Sequence, residues 1–281
     1  MTPLEESWRY CERVARRRAR NFYYSFLALP AEKRRAMCAL YAFMRECDDR
    51  SDGAGASLEK LADWRAQTEA ALGGRAPGHP VWPALVETVR RYSVPPDCLY
   101  GMIEGVSSDL EPRSFESFDQ LYRYCYLVAS VVGIATIQVF GFHDERAPLL
   151  AERCGIAFQL TNILRDVRED ALNGRIYLPR EDMERFSVTP EMLAARQASP
   201  ELRRLLAFEA GRARSFYAEA QPLIGMVDVD SRHALWALLE IYRRLLGRIE
   251  ARGYEVMAGR VRVPAPEKMW IALRAVARLA P

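Results

Sequence analysis

Only three histidines occur in the 281 residues, at positions 79, 143 and 233, and none has a glutamate three places before it. That removes the paired Glu-x-x-His motifs of a ferritin-like di-iron bundle; Asp230-x-x-His233 is the nearest approach. The six cysteines (11, 38, 47, 98, 125 and 154) form no CxxC pair and no regular framework. This argues against a thiolate zinc site or a disulfide scaffold, and for reduced thiols in a cytoplasm. A net charge of +3 is too small for a dedicated nucleic-acid binder, so none is expected as a partner. No segment alternates polar and apolar residues long enough to suggest a sheet, no repeat of solenoid length occurs, and there is no GxGxxG fingerprint. No apolar segment follows the start, so no signal peptide is expected. Arg13, Arg16, Arg17, Arg18 and Arg20 crowd one segment, but Glu5, Glu6 and Glu12 speak against a transit peptide.

One long uncharged run exists, the nineteen residues from Tyr124 to Phe142, close to the roughly 20 that span a bilayer. Ser130, Thr136, Gln138 and two glycines dilute it. A central helix buried on all sides of a large helical domain has the same signature, and that reading is preferred. A peripheral contact with lipid stays open, which puts the chain in the cytoplasm or at the inner face of the membrane.

What is present is ordinary for a globular protein: 50% hydrophobic and 27% charged residues. Apolar residues at helical spacing recur over 32–47, 57–72, 117–140, 147–172, 200–224 and 232–252. Pro30 suits a helix start, and Asn173-Gly174 a helix stop. Breaks at 73–80, Pro95-Pro96 and Pro264–Pro266 are too short to divide the chain. A single all-α domain over 1–281 is expected.

Two acidic clusters lie in the helical stretches, Asp48-Asp49-Arg50-Ser51-Asp52 and Asp166-Val167-Arg168-Glu169-Asp170. In each, aspartates four residues apart stack on one helical face, which weakens a helix by a few tenths of a kcal/mol unless a cation neutralises them. Hard oxygen ligands without nearby Cys or His point to Mg2+, or to Mn2+, rather than zinc. Tyr41, Arg45, Asp48 and Asp52 form one stripe, whose bland reading is a surface ion pair between Arg45 and Asp49. Gln159, Asn162, Asp166 and Asp170 form another. Here two amides interrupt an apolar segment, where an unpaired polar group costs about 1–3 kcal/mol. A polar line running from apolar surroundings to a carboxylate pair reads as the wall of an ion-holding cavity. Carboxylate-held Mg2+ recruits a polyanion, and diphosphate is the natural one; Arg45 and Arg165 can bond phosphate in pairs. The residues left between the helices, among them Phe22, Phe26, Tyr41, Tyr124 and Tyr242, are apolar or aromatic. An apolar pocket capped by a diphosphate site suits an isoprenoid diphosphate, whose allylic cation aromatic faces stabilise.

The wording of these segments resembles the squalene/phytoene synthase family of head-to-head prenyltransferases. The resemblance runs through 21–30 (Asn21-Phe22-Tyr23-Tyr24-Ser25-Phe26, then Leu29-Pro30), Ala39–Phe43 with Arg45 and Asp48–Asp52, Tyr124–Gly133, Gln159–Asp170 and Gly174–Pro179. It implies the all-α isoprenoid synthase fold with a central apolar cavity. It implies metal ligation by Asp48, Asp49, Asp52, Asn162, Asp166 and Asp170. Substrate contacts are implied for Arg18, Arg20, Asn21, Phe22, Phe26, Tyr41, Arg45, Val128, Gln159, Arg165, Arg175, Tyr177 and Tyr242. Tyr41, Arg45 and Tyr124 carry the implied catalytic roles, Tyr124 in proton removal or cation stabilisation. An unperturbed tyrosine with pKa near 10 is a poor base at neutral pH, so released diphosphate is the alternative proton acceptor. Asn21 stands where Ser or Thr is usual, and Ser130 where Gly is common.

The reaction implied is condensation of two farnesyl diphosphates to presqualene diphosphate, as in bacterial hopanoid pathways. Phytoene synthase, dehydrosqualene synthase and an NADPH-dependent squalene synthase are the alternatives. NADPH is not expected to be required, although squalene synthases bind it without a GxGxxG. A terpene cyclase shares the metal logic but not the motif wording. A helical membrane-surface scaffold would use the Arg13–Arg20 cluster against anionic lipid, but it leaves the Gln159–Asp170 stripe without a purpose. The oligomeric state is not specified.

Overall fold

In the computed structural model the described residues are 2–18, 22–51, 56–110 and 114–279, with Phe22 described by its backbone alone. The helices are α1 Pro3–Arg18, α2 Phe22–Phe26, α3 Ala31–Ser51, α4 Leu58–Leu72, α5 Trp82–Tyr92, α6 Pro96–Ser107, α7 Phe118–Cys125 and α8 Val131–Phe140. They continue as α9 Ala147–Leu172, α10 Arg180–Arg185, α11 Pro190–Ala194, α12 Pro200–Ala220, α13 Leu223–Met226, α14 Arg232–Ala251 and α15 Ala265–Val276. Among the described residues there is no strand, only an isolated antiparallel bridge between Phe142 and Val227.

The long periodic segments fold where the apolar spacing places them. α3 starts directly after Pro30, and α9 ends at Leu172, with Gly174 at φ +75° in the left-handed region that terminates a helix. The expected 200–224 helix stops at Ala220 and resumes as the short α13, because Pro222 cannot donate within a helix. Helices α1, α5, α6 and α15 lie outside the expected helical spans. All four have proline in the first turn, at Pro3, Pro83, Pro96 and Pro266, where its missing N–H costs nothing.

The uncharged run is one continuous helix from Phe118 to Phe140, the single described helix long and apolar enough to cross a membrane. It packs against α6 and α9, with 44% of its most apolar stretch buried, so it is a core-lining helix and not one enclosed on all sides. Its middle, Tyr126–Ser130, is a π turn in which the Val131 N–H donates to the Tyr126 carbonyl five residues back. A π turn widens the helix by one residue and often marks a functional position. Neighbouring backbone comes very close here. A Cβ added at Gly155 of α9 would sit 2.6 Å from Ser130 Cα and 2.7 Å from Ser130 N, and one at Gly105 of α6 would sit 2.8 Å from Val128 Cγ1. The Ser130 hydroxyl donates to the Glu152 carbonyl at 2.9 Å, tying the turn to α9 a second time.

On the far side of α9, one guanidinium serves two buried acids. Arg212 Nη1 donates to Glu209 at 2.8 Å and to Asp182 at 2.9 Å, and lies over the Phe118 ring at 4.0 Å. Glu209 is 1% exposed. Burial first, with Asp182 adding to it against the opposing pull of Arg212, pushes the Glu209 carboxyl up to about 7. The native protein therefore keeps a proton there that the unfolded chain loses near pH 4.5. The associated stability is present below that value and lost as pH rises through about 7.

Gly155→Ala is expected to lower stability by about 1–3 kcal/mol, as overpacking against backbone does, read as a lower urea midpoint. Glu209→Gln is expected to remove the pH slope. Its stability relative to the native sequence should rise from about pH 5 to pH 8, by no more than about 1.4 kcal/mol per pH unit; parallel curves would refute the assignment.

Candidate active site

The π turn, α8, α9, α14 and α3 enclose an apolar cavity of about 250 Å³. Val128 and Ala129 reach it from the turn, Phe26 from α2, and Met37 and Leu40 from α3. The residues of the Phe118–Phe140 helix that are only half buried are in large part those facing this space, including Val132 and Thr136. Tyr242 stacks on Phe158 at 4.1 Å between ring centroids and forms a flat aromatic wall.

At one end the cavity opens into a mouth of about 970 Å³ with a different lining. Tyr41, Met44, Asp48, Asn162 and Tyr242 border both spaces, and beyond them stand Arg16, Arg18, Arg165, Arg260, Arg262 and Lys268. An apolar interior thus ends at a ring of one carboxylate, one amide and two tyrosines, and then at a cationic vestibule. Such a vestibule concentrates anions.

Spacing on two helices produces this junction. Tyr41 and Asp48 of α3 are two turns apart on one stripe, with Arg45 between them; Gln159 and Asn162 of α9 face them. The Asn162 amide N–H donates to Gln159 Oε1 at 3.4 Å, leaving Asn162 Oδ1 buried with no partner. Burial first, opposed by Arg45 and reinforced by Asp48, pushes the Tyr41 hydroxyl up to about 12.

Arginine neutralises the aspartates. Arg45 pairs with Asp49 and lies 3.6 Å from Asp48, so it bridges the two aspartates; Tyr41 and Asp48 border the cavity, and Arg45 itself does not. Asp49 borders a separate shallow basic pocket with Arg13, Arg17 and Arg18 and is not brought to the junction. Asp166 accepts from Arg165 Nε at 2.8 Å and from Arg260 Nη2 at 2.9 Å. Asp170, one turn on, is pushed up to about 7 by burial first and then by the neighbouring Asp166 and Glu169, against Arg175.

A third group lies behind Asp170. Asp109 accepts from the Tyr124 hydroxyl at 2.9 Å and the Tyr177 hydroxyl at 3.0 Å, and the two rings stack at 5.1 Å. Both phenols are raised above their ordinary value, chiefly by burial and then by the Asp109 charge. Tyr177 and Arg175 share a small cleft with Asp170. Tyr124 is 4% exposed and donates away from the cavity.

Arg20, Asn21 and Asp52 lie outside the described residues, as does the Phe22 side chain. The structure brings Phe26, Tyr41, Asp48, Val128, Gln159, Asn162 and Tyr242 to one cavity, and Arg18 and Arg165 to its mouth. Asp166 and Asp170 stand behind arginine. Among the described residues no three acidic or imidazole side chains are grouped tightly enough to hold an ion. The donor set still fits a hard cation: an orphaned amide oxygen, carboxylates on two facing helices, and a half-buried carboxyl beside two other acids. Sequence reasoning missed Arg260, Lys268 and Asp109. Arg260 and Arg262 had a legible signal, since basic residues two apart before Pro264 point the same way in extended chain. Asp109 had none.

An all-helical bundle with an apolar cavity opening at aspartate-bearing helices is the architecture of a terpenoid synthase-like fold. Residues 15–267 match the squalene/phytoene synthase family, so the chain belongs to that family and is a prenyltransferase of its type. Phytoene synthase of Arthrospira platensis is 36% identical over 280 residues, covering 94% of this chain and 90% of that one. Phytoene synthase of Mycobacterium tuberculosis is also 36% identical, covering 99% and 93%. A crystal structure of a dehydrosqualene synthase superposes with a TM-score of 0.91 at 31% identity and covers 99% of each chain. Squalene synthase HpnC from Alicyclobacillus acidocaldarius gives 0.83 at 27%, covering 89% and 95%.

Asp109→Leu is expected to strand two buried hydroxyls and cost about 1–3 kcal/mol for each, seen as a lower denaturation midpoint. Asp109→Asn, which keeps an acceptor, should recover much of that loss. Equal losses in the two variants would mean that the carboxylate charge, not the acceptor, matters.

Proposed function

We propose that the protein condenses two identical allylic prenyl diphosphates head to head, with farnesyl diphosphate as substrate and presqualene diphosphate as product. The observation that carries this reading is the shared rim. One set of residues, Tyr41, Asp48, Asn162 and Tyr242, closes an apolar cavity and opens onto a vestibule of arginines. That is the shape of a molecule with a hydrocarbon tail and a polyanionic head.

Each part has a task. Val128, Phe26 and Met37 exclude water from the hydrocarbon. Arg18, Arg165 and Arg260 meet diphosphate oxygens; Arg165 and Arg260 do so by leaving Asp166, whose place on the guanidinium a phosphate oxygen can take. Asp48, Asn162, Asp166 and Asp170 would hold Mg2+, with Mn2+ as a substitute, and Asp52 is proposed with them. The metal, when bound, neutralises the diphosphate and makes it a better leaving group. The donor's C1–O bond breaks, its C1 bonds to the acceptor's double bond, and a C–H proton leaves as the cyclopropane closes. The stacked Tyr242 and Phe158 faces and Tyr41 line the path of the carbocation and favour it electrostatically. Tyr124 is held as a donor to Asp109, which makes its oxygen electron-rich while denying it the role of a free base. Diphosphate is therefore the proton acceptor in this reading. NADPH has no part in this half-reaction.

The similarity to phytoene synthases supports a second reading with a C20 substrate. Phe26, fully buried in the cavity wall, is the residue whose bulk favours the shorter chain. The protein is proposed to act in the cytoplasm as a single folded domain.

Mass-spectrometric product analysis with Mg2+ and either farnesyl or geranylgeranyl diphosphate, with and without NADPH, tests this. Presqualene diphosphate, formed regardless of NADPH, is expected; a C40 product from the longer substrate would replace the C15 reading, and no metal-dependent consumption of either would end both. Asp166→Asn is expected to lower kcat/KM roughly 100-fold or more, about 2.7 kcal/mol. Phe26→Ala should shift preference toward the C20 substrate.

A further inference from the structure

α15 is apolar on both faces. Ile271, Ala272 and Ala275 pack inward against α14, where Trp236 and Ile241 complete a small separate core. Met269, Trp270, Leu273 and Val276 point the opposite way and are 50%, 59%, 60% and 52% exposed, with Leu279 beyond them at 69%. Positions 269, 270, 273 and 276 form one continuous stripe, and it contains no charge. Single exposed apolar residues are ordinary, but a contiguous row of large ones marks a contact surface. The charges of this segment stand beside the stripe. Lys268, Arg274 and Arg278 are basic, while Glu267 is taken up by Arg244 and Arg248. Arg274 lies 5.2 Å over the Trp236 ring, folded back from the stripe.

The stripe begins at the mouth of the cavity. Ala265 and Lys268, in the first turns of α15, form part of the vestibule wall together with Arg260 and Arg262, and α15 packs on α2, directly after which Leu27 is also exposed. The surface around the opening is therefore an apolar ridge with a basic border.

We infer that the outer face of α15 docks the protein on an anionic lipid surface, with the cavity mouth at the bilayer interface. Trp270 and Leu273 supply the apolar anchor, with tryptophan suited to the headgroup level. Lys268, Arg262 and Arg278 supply the attraction to anionic headgroups. A protein partner would need matching acidic groups around an apolar groove, whereas a bilayer offers both features at once. The purpose suggested for the site, passing hydrocarbon-tailed molecules between membrane and cavity, rests on the proposed function; the docking itself does not.

Flotation of the full-length protein with phosphatidylcholine vesicles and with phosphatidylcholine–phosphatidylglycerol vesicles tests the inference. Trp270 fluorescence is read alongside it as the difference from Trp270→Phe, since Trp64, Trp82 and Trp236 are buried and Trp8 is half-buried. The expected results are binding to the anionic vesicles that weakens with salt, a blue shift absent in Trp270→Phe, and at least a tenfold loss of partitioning in Trp270→Ser/Leu273→Glu. Turnover of detergent-dispersed substrate should be unchanged in that double variant, which separates failure of docking from failure of the proposed reaction. Equal vesicle binding by the double variant, or no binding by the native protein, would overturn the inference. So would a dimer in sedimentation that the double variant dissociates while the native protein ignores vesicles, because the face would then join two copies of this chain.

Discussion

The close approach of two helices at one glycine positions most of the site. α9 meets the π turn at Gly155 with no room for a methyl group, and that contact sets which residues of each helix face the cavity between them. Val128 and Ala129 of the wider π turn line the space, while Val128 also packs over Gly105 of α6. From the same reference point α9 carries its chain onward to Gln159 and Asn162 at the rim and to Asp166 and Asp170 outside it. Interiors pack at the density of molecular crystals, so a shift of α9 by one methyl would be transmitted along its whole length.

Electrostatics then divides one continuous opening into two environments. Inside the rim the walls are apolar and aromatic, and among the described residues there Asn162 Oδ1 is buried without a partner. Outside it Asp166 and Glu169 have guanidinium partners, and Asp170 is pushed up to about 7 by its burial and its acidic neighbours despite Arg175. Burying a charge without compensation costs several kcal/mol, and Arg165 and Arg260 supply that compensation for Asp166.

The long helices were legible because their apolar residues repeat over many turns. α3, α4, α9 and α14 lie within a few residues of their expected spans. α15 was not, since its twelve residues follow directly on Pro264 and carry Pro266 in the first turn, which reads as a break. The facing of Tyr41 and Asp48 with Gln159 and Asn162 followed from two stripes that each mix oily and ionic residues. Asp109 escaped notice because it stands alone in a short turn and acquires meaning only through two tyrosines, one of them 68 residues away. Asp49 illustrates the opposite case. It is adjacent to Asp48 in sequence, yet 100° of helical rotation turns it toward α1 and a different pocket.

Chemistry type was therefore determined along the chain: which residues are hard ligands, which are cationic, and which stretches are helical enough to align them. Spacing along a helix is a local quantity, and local quantities survive in a linear string. The partners of those residues were decided in three dimensions. That Arg260 reaches Asp166 across 94 residues, that Tyr124 donates to Asp109 and not into the cavity, and that α15 presents one apolar face to its neighbours and another outward all depend on how helices pack. Packing is a property of shape complementarity between distant segments, and no single segment carries it.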